Sequence, residues 1–296
     1  MKFPVTKAAV LIALISWGVV AYGQSTKASN IGGISNTRHN LAMSYLGAGA
    51  AIMNSFRNDY GEVCVYCHTP HGANSNVALP LWNRTIKATT YKTYDTLNTN
   101  LTQPVNQPGP NSLSCLSCHD GTVAIDSIIN MPGSGKYNAA QATTQSDSFL
   151  NTWTSNGGPA PIHSGMNSGS TNCLLCHNIP NSEPSIPNWG VAFLGTDLTN
   201  DHPVGVRFAS SGPNLADFNQ PNRTNGSIAF FDTDGNGRAD PNNIRVYDSG
   251  NGFAVECASC HDPHGVPSGG QGSVNNPTFM RVTNSGSTLC LTCHIK

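Results

Sequence analysis

All ten cysteines of the 296-residue chain fall into five Cys-x-x-Cys pairs, and a histidine follows every pair. The motifs are Cys64-Val65-Tyr66-Cys67-His68, Cys115-Leu116-Ser117-Cys118-His119, Cys173-Leu174-Leu175-Cys176-His177, Cys257-Ala258-Ser259-Cys260-His261 and Cys290-Leu291-Thr292-Cys293-His294. Two thiols three residues apart reach both vinyl groups of one haem as thioethers, and the adjacent histidine then lies under the iron. Disulfides and paired-thiol zinc sites are the competing uses of such cysteines. Neither requires the histidine. With 10 His in the chain, five coincidental histidines at those five places have a chance on the order of 10⁻⁸. Five covalently attached c-type haems are the expectation, each with two cysteine anchors and one proximal histidine.

Five histidines remain: His39, His71, His163, His202 and His264. They equal the number of sixth coordination positions to be filled, so distal ligation of every iron by histidine closes without remainder. For a single histidine the alternative is an exposed or hydrogen-bonded side chain. At His163 a specific competitor stands three residues on: Met166, whose thioether would raise the potential of that haem.

Two stretches, Cys67-His68-Thr69-Pro70-His71 and Cys260-His261-Asp262-Pro263-His264, place a spare histidine three residues after a proximal one. Cα atoms that close in sequence separate by at most roughly 10 to 11 Å. Such a span is too short to straddle a haem plane with two imidazole arms. The two histidines of each stretch must therefore bind different haems, which makes those haems neighbours. Pro70 and Pro263 also disfavour helix at Thr69 and Asp262.

The N-terminal residues read as a secretory signal, positions 1–23. Lys2 and Lys7 supply the positive region, Ala8 to Ala21 is uncharged, and Ala21-Tyr22-Gly23 offers small residues before Gln24. A retained anchor is the alternative, but this run falls short of the ~20 apolar residues a spanning helix needs. No cysteine follows it until Cys64, which speaks against a lipid anchor. Loss of two lysines from 15 Lys and Arg, against 16 Asp and Glu, moves the formal charge from −1 to −3. Nucleic acid is excluded as a partner on that balance, since no basic face exists to neutralise phosphates. The mature protein is expected to be secreted, outside the cell or at its surface, with the periplasm as the alternative.

Beyond the signal the chain is dense in Gly, Pro, Asn, Ser and Thr, which favour turns over long periodic elements. A conventional apolar core is therefore not expected. Residues 24–296 should form one haem-cored domain, mostly coil with a few short α-helices and a small β-hairpin. Leu41 to Phe56 is a candidate helix, and short helices should follow several of the motifs. Val204 to Phe208, Ser227 to Phe231 and Ile244 to Tyr247 are β-branched or aromatic runs bounded by turn residues.

Between the last two runs lies Asp232-Thr233-Asp234-Gly235-Asn236-Gly237-Arg238-Ala239-Asp240. Asp232, Asp234, Asn236, Arg238 and Asp240 occupy positions 1, 3, 5, 7 and 9 of a calcium loop, with glycine at position 6. Position 12 is Asn243 and lacks the bidentate carboxylate. An Asp/Asn/Gly-rich turn that binds nothing is the competing reading.

With these motifs in place the chain resembles the extracellular cytochrome nanowire subunits of metal-reducing bacteria, the outer-membrane c-type cytochromes E and S. The resemblance rests on Asn36-Thr37-Arg38-His39-Asn40-Leu41, on Cys-His-x-Pro-His-Gly at Cys67 to Gly72 and Cys260 to Gly265, and on Asp201-His202-Pro203-Val204-Gly205. It implies stacked bis-histidine haems and a homopolymer through which the haem chain continues, with an N-terminal histidine, His39 by position, donated to a haem of the neighbouring subunit. Well-known members carry four or six haems, so five is a departure. The implied role is electron transfer to redox partners or solid acceptors. A periplasmic shuttle shares every ligand with this reading. A multihaem oxyanion reductase, of nitrite for example, would need an iron with a vacant position. All five motifs here end in histidine, and the histidine count suffices to close every iron, so an electron carrier rather than an enzyme is expected.

Overall fold

The computed structural model describes residues 33–41, 57, 60–98, 101–130, 164–167, 172–178, 189–209, 213–266 and 279–295. The signal segment, His163 and the candidate helix beyond Leu41 lie outside these. No helix among the described residues is long and apolar enough to cross a membrane.

Among the described residues regular structure is sparse, and the α-helices are built from the motifs themselves. Helix α1 spans Pro110–His119 and contains the second motif; α2, Cys257–Cys260, lies in the fourth, and α3, Thr288–Cys293, in the fifth. A 3₁₀ turn at Cys173–Leu175 carries the third motif. In the first, His68 N–H donates to the Cys64 carbonyl at 2.8 Å without a longer helix around it. The same closure recurs from His177 to Cys173 at 3.0 Å, His261 to Cys257 at 3.1 Å and His294 to Cys290 at 2.8 Å. The helices thus hold the motifs, where the sequence reading had them following. The reason is geometric: one helical turn puts residues i, i+3 and i+4 on one face, as two thioethers and an axial histidine on one macrocycle require.

Proline at the first turn of α1 sits where no N–H partner is needed. The helix ends at Asp120, and Gly121 at φ 70° turns the chain away. A side chain there would meet the Phe193 ring at 2.6 Å.

A five-stranded antiparallel sheet forms from β1 (Val206–Arg207), β2 (Arg223–Asn225), β3 (Ile228–Phe230), β4 (Arg245–Asp248) and β5 (Phe253–Val255), in the order β1-β5-β4-β3-β2. The three apolar runs fall on β1, β3 and β4; Phe253–Val255 and Arg223–Asn225 complete the sheet, which is larger than the hairpin expected. Strands β2 and β3 join through Gly226-Ser227, with Gly226 at φ 57°, the left-handed value a two-residue hairpin turn needs.

Among the described residues three small clusters of buried apolar side chains form, and each abuts a motif. Tyr60, Val65, Tyr66 and Ile128 pack beside Cys67 of the first. Tyr91, Leu116 and Leu198 pack beside Leu113 on α1, the helix of the second. Phe208, Ala229, Phe231, Ile244 and Val246 form the face of the sheet, and Leu289 and Cys293 of α3 lie on it. The described chain beyond the fifth motif is stitched to the segment after β1: Asn219 N–H donates to the Cys293 carbonyl at 2.8 Å and Ile295 N–H to that of Asp217 at 2.9 Å.

Candidate haem sites

None of the ten cysteines is paired in a disulfide. Burial raises Cys67 and Cys293 to about 12, and Cys173 and Cys260 to about 11. The first cysteines of the second and fourth motifs touch. Cys115 and Cys257 share a side-chain hydrogen bond, which raises the former and lowers the latter. The charge of Cys118 bears on both Cys67 and Cys173, and that of Cys260 on Cys293. Each motif therefore has another motif as a neighbour.

The contact between α1 and α2 is fixed by one buried carboxylate. Gly109 N–H donates to both oxygens of Glu256 at 3.1 Å, and the Ser112 hydroxyl donates to Oε2. Ser112 Oγ in turn accepts the N–H of Cys257 at 2.8 Å. Burial pushes the Glu256 carboxyl up from its ordinary range, opposed by the Ser112 and Gly109 donors.

The histidines are oriented through Nδ1. His68 turns it to the Pro80 carbonyl at 2.8 Å, His119 to that of Ala192 at 2.6 Å and His39 to that of Pro263 at 3.1 Å. His202 faces the Pro203 carbonyl at 3.0 Å, and His264 the Asp262 carboxylate at 3.1 Å. An imidazole that donates Nδ1–H to an acceptor presents its Nε2 lone pair elsewhere, the usual state of a metal-ligating histidine. Burial, followed by the nearby His119, lowers His39 to about 4, and burial lowers His119 as well. Both are neutral at pH 7, as ligation demands.

Two ring pairs stand out. The centroids of His39 and His119 are 6.1 Å apart with planes at 81°, and those of His68 and His264 are 6.2 Å apart with planes at 13°. Rings at that distance do not touch. With a metal about 2.0 Å from each nitrogen and a ring centre about 1.15 Å behind it, two imidazoles across one metal ion have centroids about 6.3 Å apart. Both pairs fit that separation, so the residues present suit the group their motifs imply. In each pair one histidine is proximal and the other spare.

The remaining candidates are placed as follows. His71 is exposed, its carbonyl accepting from Thr69 Oγ1 at 2.9 Å, and His202 is exposed in the turn before β1. The His177 ring stacks on Trp189 at 3.6 Å, and that of His294 lies 5.0 Å from Phe218. His261 bridges to Met280. His39, expected to reach a neighbouring subunit, has its ring 6.1 Å from that of His119 of its own chain, with the Phe279 ring stacked on it at 4.6 Å. The sequence reading missed Phe279, the supporting carbonyls and the partners of Asp262. No local pattern marks a backbone acceptor distant in sequence.

In the 232–240 loop the oxygens are engaged internally. Asp232 accepts from Gly235 N–H at 2.8 Å and Gly237 N–H at 2.9 Å, and Asn236 Nδ2 donates to Asp234 at 2.9 Å and to Asp240 at 2.5 Å. Arg238 enters the ring through its N–H, given to Asn236 Oδ1 at 2.7 Å. Among the described residues no group of three or more His, Cys, Asp or Glu is arranged to hold a metal ion.

Residues 251–296, which hold the fourth and fifth motifs, match the family model described as the doubled CXXCH motif. The doubled motif indicates covalently bound c-type haem. It points to a cytochrome, generally a carrier of electrons, and the few helices and small antiparallel sheet are compatible with that class. No curated protein matches the chain.

Proposed function

We propose that the chain carries electrons through five c-type haems whose irons are each closed by two histidines, and that it is secreted and polymerises to deliver electrons to an external acceptor such as a mineral, an electrode or a partner cell. The observation that carries this reading is the separation of the two ring pairs, 6.1 and 6.2 Å, which suits an iron sealed on both faces. A sealed iron exchanges electrons without binding a substrate, and two histidines favour low potentials relative to a His/Met pair. The mutual proximity of the motifs supports transfer between haems, and no substrate pocket is required.

The haems would be held by the ten cysteines and would supply the iron(III)/iron(II) couple. The protein's part is to fix the imidazoles through Nδ1 and to keep neighbouring motifs in contact through Glu256. In this reading His39 is a ligand within its own chain. Polymerisation and export rest on the resemblance to the nanowire subunits.

The test is the purified secreted holoprotein. Haem quantification by the pyridine haemochrome should return five per chain, the ferric spectrum should be all low-spin, and carbon monoxide should leave the reduced spectrum unchanged. A high-spin component that binds carbon monoxide would favour a reductase. Electron microscopy of the same material should show filaments; dispersed particles would favour a shuttle.

A further inference from the structure

Among the supporting contacts one differs in kind. His39, His68, His119 and His202 turn Nδ1 to neutral carbonyls, whereas His264 turns it to a carboxylate. Asp262 holds His264 twice, since Oδ1 also accepts the His264 N–H at 3.1 Å. Its other oxygen accepts from Arg281 Nη1 at 3.0 Å. Arg281 is buried, and donates further to the Ala258 carbonyl at 3.0 Å and that of Pro241 at 2.8 Å. Asp262 is thus held at both oxygens, one of them paired with a buried guanidinium. The first motif offers an internal contrast: the matching position is Thr69, and its hydroxyl goes to a backbone carbonyl.

We infer that His264 is the distal ligand of the first haem, opposite His68, and that Asp262, anchored by Arg281, is a positioning residue that strengthens His264 as a donor and lowers the potential of that iron. The inference rests on the axial pairing above. A carboxylate accepting Nδ1–H pulls the proton toward itself and leaves Nε2 more basic. A more basic ligand stabilises iron(III) over iron(II), so the first haem takes up its electron at lower potential than the same bis-histidine haem supported by a carbonyl. The couple gains one electron and no atom moves. His264 stands three residues after the proximal histidine of the fourth haem, so the tuned iron belongs to one haem while its control sits in the loop of another.

The test compares holoprotein variants by spectroelectrochemical titration. Asp262→Asn keeps the shape and an acceptor but removes the charge. It should leave five low-spin haems and move one redox wave to higher potential, the other four being unchanged. His264→Ala should turn one haem high-spin and reactive to carbon monoxide, with added imidazole restoring the low-spin spectrum, and the wave affected should be the one that Asp262→Asn moves. If Asp262→Asn titrates like the parent while His264→Ala still opens a haem, the tuning role is wrong and the pairing stands. If His264→Ala leaves every haem low-spin, the pairing itself falls. A high-spin haem in Asp262→Asn would make the aspartate a structural prop and overturn the proposal equally.

Discussion

On the proposed pairing, the angle between the two imidazole planes on one iron would be set by single side-chain contacts and would have a spectroscopic consequence. At His68 and His264 the planes are 13° apart, at His39 and His119 81°. Parallel imidazoles donate into the same iron d orbital and lift its degeneracy with its partner; perpendicular ones donate into both and leave them nearly equal. Low-temperature electron paramagnetic resonance of the oxidised protein should therefore contain a rhombic low-spin signal from the first haem and a strongly anisotropic one from the second. Low-spin signals of the rhombic kind alone would contradict the 81° pair. His39→Ala should convert the anisotropic signal, and no rhombic one, to high spin. The contacts responsible come from far along the chain, since the Pro263 carbonyl and the Phe279 ring both hold His39. Phe279 adopts φ 59°, a conformation rare for a residue with a side chain, and its carbonyl accepts the Asp262 N–H at 2.8 Å.

At the scale of elements, the joint between α1 and α2 hangs on Glu256, which is buried and serves donors from Gly109 and Ser112. Glu256→Ala leaves both donors without their acceptor and should cost about 1–3 kcal/mol, read as a lower Tm at unchanged haem content. Its pH dependence has a definite sign. Burial raises the folded carboxyl above its ordinary value of 4.5, so the folded state binds this proton more tightly than the unfolded chain. The contribution is fully present below 4.5 and is lost as pH rises through the raised value. Glu256→Gln removes that dependence, so its Tm relative to the parent should climb as pH rises across the window. A difference constant with pH would show that the buried carboxyl does not titrate there. Segments flanking the third motif reach the second by a different device: Leu194 N–H donates to the His119 carbonyl at 2.9 Å, while Asn167 Nδ2 donates to that of Gly121, just past the second motif, at 2.8 Å.

At the scale of the molecule, the apolar clusters among the described residues are small, and the chain alone is expected to be weakly stable. None of them is large, and each has a motif cysteine or a motif helix at its edge. Covalent haem would supply the missing apolar mass between them, and a group bound only in the folded state adds directly to folding stability. A buried cation shows how tightly the polypeptide is tied around these sites: Arg84 donates to the carbonyls of Ser117, Ala124 and Ile125 and to the Ser117 hydroxyl, joining the end of α1 to the turn segment after it. Chain produced without haem attachment should be digested rapidly in limited proteolysis and unfold without a cooperative transition. The 223–248 part of the sheet should resist longest, since its ladder is closed by its own hydrogen bonds. A cooperative, protease-resistant apoprotein would contradict a haem-dependent core.

Covalent haem chemistry was legible from the sequence because a thioether motif is a local pattern: two thiols, a histidine and the helical turn joining them occupy five consecutive residues. Locality also exposed the rule that His261 and His264 cannot share an iron, since chain length alone forbids it. The β-rich runs of the sheet were visible for the same reason, through their β-branched and aromatic residues. Which spare histidine faces which proximal one was not legible. That depends on bringing His264 to His68 and His39 to His119, contacts between segments tens or hundreds of residues apart, and nothing in local composition encodes the distance. The carboxylate behind His264 lies between these cases. Asp262 stood in the motif from the start, but its role became apparent only when the fold set a buried Arg281 behind it and an opposing imidazole in front.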